Sequence, residues 1–155
     1  MNVRAERRES ERPPKESRHH AREAALQMLY QWEIGRTSIV DVTKTFWTDA
    51  IDREITHSQD LQRFATTLAT GVAATVEQLD GHISAAAEHW RLERMAVMDR
   101  LILRLAVYEF LHQPATPGKV IINEALELAR TFSADDAVRF VNGILDQVRR
   151  SIDRE

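Results

Sequence analysis

Residues 95–111, MAVMDRLILRLAVYEFL, are apolar on more than one side of a helical wheel, interrupted only by Asp99, Arg100, Arg104 and Glu109. A helix that is hydrophobic nearly all round has to be enclosed by other elements, so this segment predicts a central helix acting as the axis of a helical core. Pro114 and Pro117 stop it, because proline lacks the backbone donor and clashes with the preceding turn, and Gly118 completes the loop. No alternating strand pattern competes anywhere along the chain. With 155 residues, 43% of them hydrophobic, the chain is long enough for one domain with a real core and too short for two.

The surrounding segments supply the enclosing helices. Ala21, Ala25, Met28, Leu29 and Trp32 recur at helical spacing, with Ser17 placed to cap the start and Gly35 to end the helix. Ile39, Val42, Phe46, Trp47 and Ile51 predict a short second helix. Ser58 opens a third through Leu61, Phe64, Ala65, Leu68, Val72, Val76 and Leu79. The pattern weakens at Asp80 and Gly81, and Ile83 to Trp90 read as a further helix or a bent continuation. After the central helix, Ile121, Ala125, Leu128, Ala129 and Phe132 form one buried stripe, and Ala137, Val141, Ile144, Leu145 and Val148 another. Ser133 and Asp136, three apart, read as a capping-box variant that starts the last helix near Ala134. Gly143 inside that helix costs about 1 kcal/mol against alanine, which predicts a close approach of a neighbouring helix there.

Several function classes are excluded. The chain has no cysteine, so thiolate metal sites, thiol nucleophiles and disulfides are impossible. Its six histidines form no i, i+4 pair with a nearby carboxylate, and no P-loop, dinucleotide fingerprint or nucleophile elbow is present. The sequence therefore predicts neither a metal, nor a cofactor, nor an enzyme, and its acidic residues read as solvated faces. No segment reaches 18 uninterrupted apolar residues and the start lacks a signal-type apolar run, so the expected location is the cytoplasm.

Charge is the remaining clue. The net charge is -3, yet residues 1–22 hold seven Arg or Lys against four Glu, a local +3 on a body of -6. Residues 1–16 alternate charges, contain Pro13 and Pro14, and are expected to be disordered ahead of a folded domain at 17–152. Arg18, His19, His20 and Arg22 then sit at a helix start, where positive charge opposes the helix dipole unless something anionic offsets it. His19, Arg22 and Tyr30 share a strip away from the buried stripe, with Leu26 between them. Cations beside an exposed aromatic suit RNA or single-stranded DNA, through phosphate contact and base stacking.

Three segments together carry a resemblance: RHHAREAALQMLYQWEI, HWRLERMAVMDRLILRLAVYEF and KVIINEALELARTFSADDAVRFVNGILD. They resemble the NusB family of bacterial transcription antitermination factors, with INEALELA and FVNGILD the most specific parts. The resemblance implies an all-α fold of about seven helices in two subbundles and no catalysis. It further implies binding to boxA-type RNA together with ribosomal protein S10, acting with other elongation factors on RNA polymerase, notably at ribosomal RNA operons. Carried over by position, the RNA contacts are Arg18, His19, His20 and Arg22, then Tyr30, then Asp136, Arg139 and Phe140 at the start of the last helix. His19 and His20 stand where relatives often have arginine. A related domain occurs fused to RNA cytosine methyltransferases, but this chain leaves no room for a catalytic domain. The alternative reading is a helical protein-interaction module without RNA affinity.

Overall fold

The computed structural model describes residues 15–52 and 58–154; of the disorder expected for residues 1–16, positions 1–14 lie outside them, while Lys15 and Glu16 belong to the first helix. Among the described residues there are seven α-helices: α1 (Lys15–Gly35), α2 (Ile39–Asp52), α3 (Gln59–Ala74), α4 (Val76–Ala86), α5 (Val97–His112), α6 (Gly118–Phe132) and α7 (Ala137–Ser151). A 3-10 turn, Leu92–Arg94, leads into α5. Helices α1, α2 and α3 pack together as one group, and α4, α5, α6 and α7 as a second. Helix α5 also touches α1 and α3, and so joins the two. Its ten residues from Leu101 to Phe110 are all buried, as expected for a helix enclosed by others.

Most of the buried stripes fall where periodicity puts them. Ala21, Ala25, Met28 and Leu29 are buried on α1, Ile121, Ala125, Leu128 and Ala129 on α6, and Ala137, Val141, Ile144, Leu145 and Val148 on α7. Ser58 caps α3, its side chain accepting from the Leu61 backbone N–H at 3.1 Å.

The boundaries differ in instructive ways. Helix α1 begins at Lys15, so Ser17 lies inside it and is not its cap. At its other end the left-handed residue is Arg36, with φ of 52°, and not Gly35. The third predicted helix breaks at Thr75 and not at Gly81. The Thr75 hydroxyl donates back to the Gly71 carbonyl at 2.8 Å while the Thr75 backbone N–H is shared between the Gly71 and Val72 carbonyls. Such back-bonding bends helices. Helix α4 ends at Ala86, leaving Trp90 on an irregular connection rather than on a helix. Ser133 does not cap α7: its hydroxyl donates to Asp99 in the first turn of α5, and α7 starts at Ala137 with no side-chain cap bond from Asp136.

The glycine expectation is also reversed. A Cβ at Gly143 would meet nothing within 4 Å, whereas one at Gly71 would fall 2.2 Å from the Tyr108 ring. Close helix approach is therefore at Gly71 of α3 against α5, and Gly143 lies on the solvent side of α7. Gly143→Ala should raise stability by about 0.5 to 1 kcal/mol, the helix-propensity difference at an open position. Urea unfolding checks this, and a lower midpoint for the variant would contradict it.

The last turn of the chain is tied back onto the core. Arg154 donates to the carbonyls of Phe110, Gln113 and Thr116 at 3.1, 2.7 and 2.6 Å. It thus satisfies a carbonyl in the last turn of α5 and braces two more in the connection that follows.

Candidate nucleic-acid interface

The cations at the start of α1 are less available than the sequence suggests. Arg22 is 2% exposed. Its Nε and Nη2 donate to the Glu109 carboxylate of α5, with the shortest contact 2.7 Å, and Nη1 lies 3.8 Å from Glu124 of α6. The Phe64 ring covers the guanidinium at 5.6 Å. With Leu26 also buried, the outward strip proposed for His19, Arg22 and Tyr30 is divided, and Arg22 belongs to the core. Nor is Glu109 a solvated acid: it too is 2% exposed, as the partner that makes burial of Arg22 tolerable.

His19 is held on both sides. Nε2 lies 2.8 Å from Glu23 and Nδ1 2.9 Å from Glu124. A neutral imidazole has one N–H and cannot donate to both carboxylates, so the geometry selects the imidazolium. Hydrogen bonding to Glu124, with attraction to Glu124 and Glu23, holds its pKa above the ordinary histidine value against the opposing effect of burial. The anionic offset that a cationic helix start demands is thus supplied from inside the protein, by Glu23, Glu109 and Glu124. Arg18 and His20 remain exposed, His20 with a long 3.9 Å contact to Glu23.

A pH dependence follows with a definite sign. The folded-state pKa of His19 is raised, so its contribution to stability is complete below the unfolded value and is lost as pH rises through the folded one. The melting temperature should fall as pH rises above the ordinary histidine pKa of about 6.5. His19→Gln should flatten that part of the profile. Parallel profiles for the two proteins would remove His19 as the cause.

Tyr30 stands where the sequence places it, 42% exposed on α1. It borders a depression shared with Gln27, Met98 of α5 and Phe132 of α6. Phe132 leads to Ser133, which is bonded to Asp99, and three residues on to exposed Asp136. Exposed Arg139 and half-buried Phe140 follow in the first turn of α7. Phe140 meets the ring of Trp90 edge to face, with centroids 5.5 Å apart. The structure therefore brings Tyr30 of α1 to the junction with Met98 of α5 and Phe132 of α6, and separates it from buried Arg22. The sequence reads Trp90 only as the end of a helix and not as a contact residue, although its setting in HWRLER, an aromatic interleaved with basic residues, was the available signal.

Among the described residues no group of His, Asp and Glu is arranged to hold a metal ion. No described helix is long and apolar enough to cross a membrane.

A sequence model of the NusB family matches residues 19–150. The chain is 46% identical to the transcription antitermination protein NusB of Koribacter versatilis over 90% of its own length and 92% of that protein's. It is 42% identical to the protein of the same name from Solibacter usitatus, over 88% and 90%. Among solved structures, T. maritima NusB matches with a TM-score of 0.74 at 32% identity, covering 86% of this chain and 90% of that one. A structure of antitermination factors NusB and NusE in complex with dsRNA matches with a TM-score of 0.76, over 88% and 98%, and at 22% identity shares the fold. Seven helices in the same arrangement and a sequence match from His19 to Arg150 lead to one conclusion: this chain belongs to the NusB family.

Proposed function

We propose that this protein is a non-enzymatic, cytoplasmic antitermination factor. It binds boxA-type single-stranded RNA together with ribosomal protein S10, known as NusE in the complex above, and acts with other elongation factors on RNA polymerase. The observation that carries this reading is 46% identity, over 90% of the chain, to a protein named for transcription antitermination. Tyr30, beside Phe132 at the end of α6, and Arg139 and Phe140, in the first turn of α7 that follows, support it as two aromatics and a cation. In this reading Tyr30 and Phe140 stack on bases, while Arg18, His20 and Arg139 meet phosphates. Arg22 and His19 act as positioning residues that fix the start of α1 against α5 and α6. Asp136 lies exposed beside the phosphate path and limits affinity by repulsion. In this reading residues 17–152 make up the RNA-binding domain, and the sequence ahead of it carries an excess of basic residues.

With so few available cations, RNA binding alone should be weak and should tighten when S10 extends the contact. Tyr30→Ala should weaken binding of a boxA-type oligonucleotide by about 1 to 3 kcal/mol, the cost of one lost stacking surface, with the melting temperature unchanged. Fluorescence anisotropy with and without S10 measures both effects. Full affinity in Tyr30→Ala would remove Tyr30 as a contact, whereas no binding of the oligonucleotide by the parent, with or without S10, would favour a helical interaction module without RNA affinity.

A further inference from the structure

We infer that Trp90 is a second base-stacking surface, forming with Phe140 an aromatic corner that receives one base of a single-stranded RNA. The inference rests on the RNA-binding reading above and adds to it a residue and a direction for the strand. At 61% exposure Trp90 is the most exposed large apolar side chain among the described residues. Tryptophan joins a large apolar surface to a polar N–H, the combination that enriches it at interfaces. Its backbone is held, with the Trp90 N–H donating to the Ala87 carbonyl at 3.0 Å and the 3-10 turn following two residues later. Its ring is held by Phe140 at an interplanar angle of 74°. An edge-to-face contact uses at most one face of the indole, so the other is presented to solvent in a fixed orientation.

The charge around this corner differs from that at the start of α1. Arg91, Arg94 and Arg139 are exposed and have no ion pair among the described residues, whereas Arg22 and His19 are committed to carboxylates. Exposed Glu88 and Glu93 oppose the three arginines, and His89 lies beside them. Exposed Asp135 and Asp136 precede Arg139 as well, so the corner has no net positive charge and its cations act as individual unpaired guanidinium groups. Unpaired guanidinium groups next to an open aromatic face fit a base and its flanking phosphates. The same groups could meet a protein surface, but the short segment that leads from Phe132, beside Tyr30, to Arg139 and Phe140, beside Trp90, favours the strand. The RNA then runs from Tyr30 across the start of α7 to the connection before α5.

The test uses the full chain and a single-stranded boxA-type oligonucleotide. Trp90→Ala should weaken binding about 5- to 100-fold, and Trp90→Phe should retain most of the affinity because a stacking face remains. Replacing both Arg91 and Arg94 with Gln should reduce the slope of log affinity against log salt by about 0.7 per lost phosphate contact. RNA should also quench tryptophan emission more in the parent than in Trp90→Phe. This measurement decides the matter even if Trp90→Ala folds poorly. Unchanged affinity in Trp90→Ala, with a loss in Tyr30→Ala, would overturn this inference and leave the RNA reading standing. Unchanged affinity in both variants would overturn this inference and the Tyr30 contact with it, and no binding by the parent chain would remove the RNA reading as well. If Trp90→Ala keeps RNA affinity but loses S10, the corner is a protein contact and the inference is wrong.

Discussion

Glu109→Ala should destabilise the domain by about 3 to 5 kcal/mol, because it strands the Arg22 guanidinium without its counter-charge in the core. Both groups are 2% exposed and are joined by three donor–acceptor contacts between 2.7 and 3.2 Å. Neither water nor Glu124, whose nearest oxygen is 3.8 Å away, can replace what is removed. A domain of this size has only about 5 to 15 kcal/mol to lose, so the variant should unfold at much lower urea. The control separates charge burial from packing. Arg22→Met combined with Glu109→Leu removes both charges while keeping volume, and should recover most of the loss. A cost below about 1 kcal/mol for Glu109→Ala would mean that Arg22 reaches solvent. That outcome would return Arg22 to the candidate RNA contacts.

Gly71→Ala should cost about 1 to 3 kcal/mol, despite the gain of about 1 kcal/mol that alanine brings to a helix interior. The new Cβ would fall 2.2 Å from both Cζ and the hydroxyl oxygen of Tyr108. The ring cannot simply swing away, since Tyr108 is only 9% exposed and packs beside His112 with centroids 4.7 Å apart. The α3–α5 contact must open instead, and that contact helps join the two groups of helices. Tyr108→Leu in the Gly71→Ala background should restore part of the stability by removing the clashing atoms. Paired thermal melts of the single and double variants measure it. A Gly71→Ala protein as stable as Gly143→Ala would show that the two glycines are equivalent.

The helices, their buried stripes and the enclosed central segment were legible in the sequence because helical periodicity is local: a side chain's face follows from residues three and four away. Family membership was legible for a related reason, since INEALELA and FVNGILD lie in continuous stretches. The pairing of charges was not. Arg22 and Glu109 stand 87 residues apart, and His19 and Glu124 105 apart, so nothing local distinguishes them from solvated residues. The same applies to the glycines: Gly71 and Gly143 look alike in their helices, and only the position of Tyr108 separates them. Trp90 read as the end of a helix until the turn at Ala87 placed it beside Phe140, 50 residues further along. Local spacing determined which segments coil and which sides they bury. Tertiary packing decided which charges are neutralised, which glycine admits a neighbour and which aromatic faces solvent, because each depends on atoms brought together from distant parts of the chain.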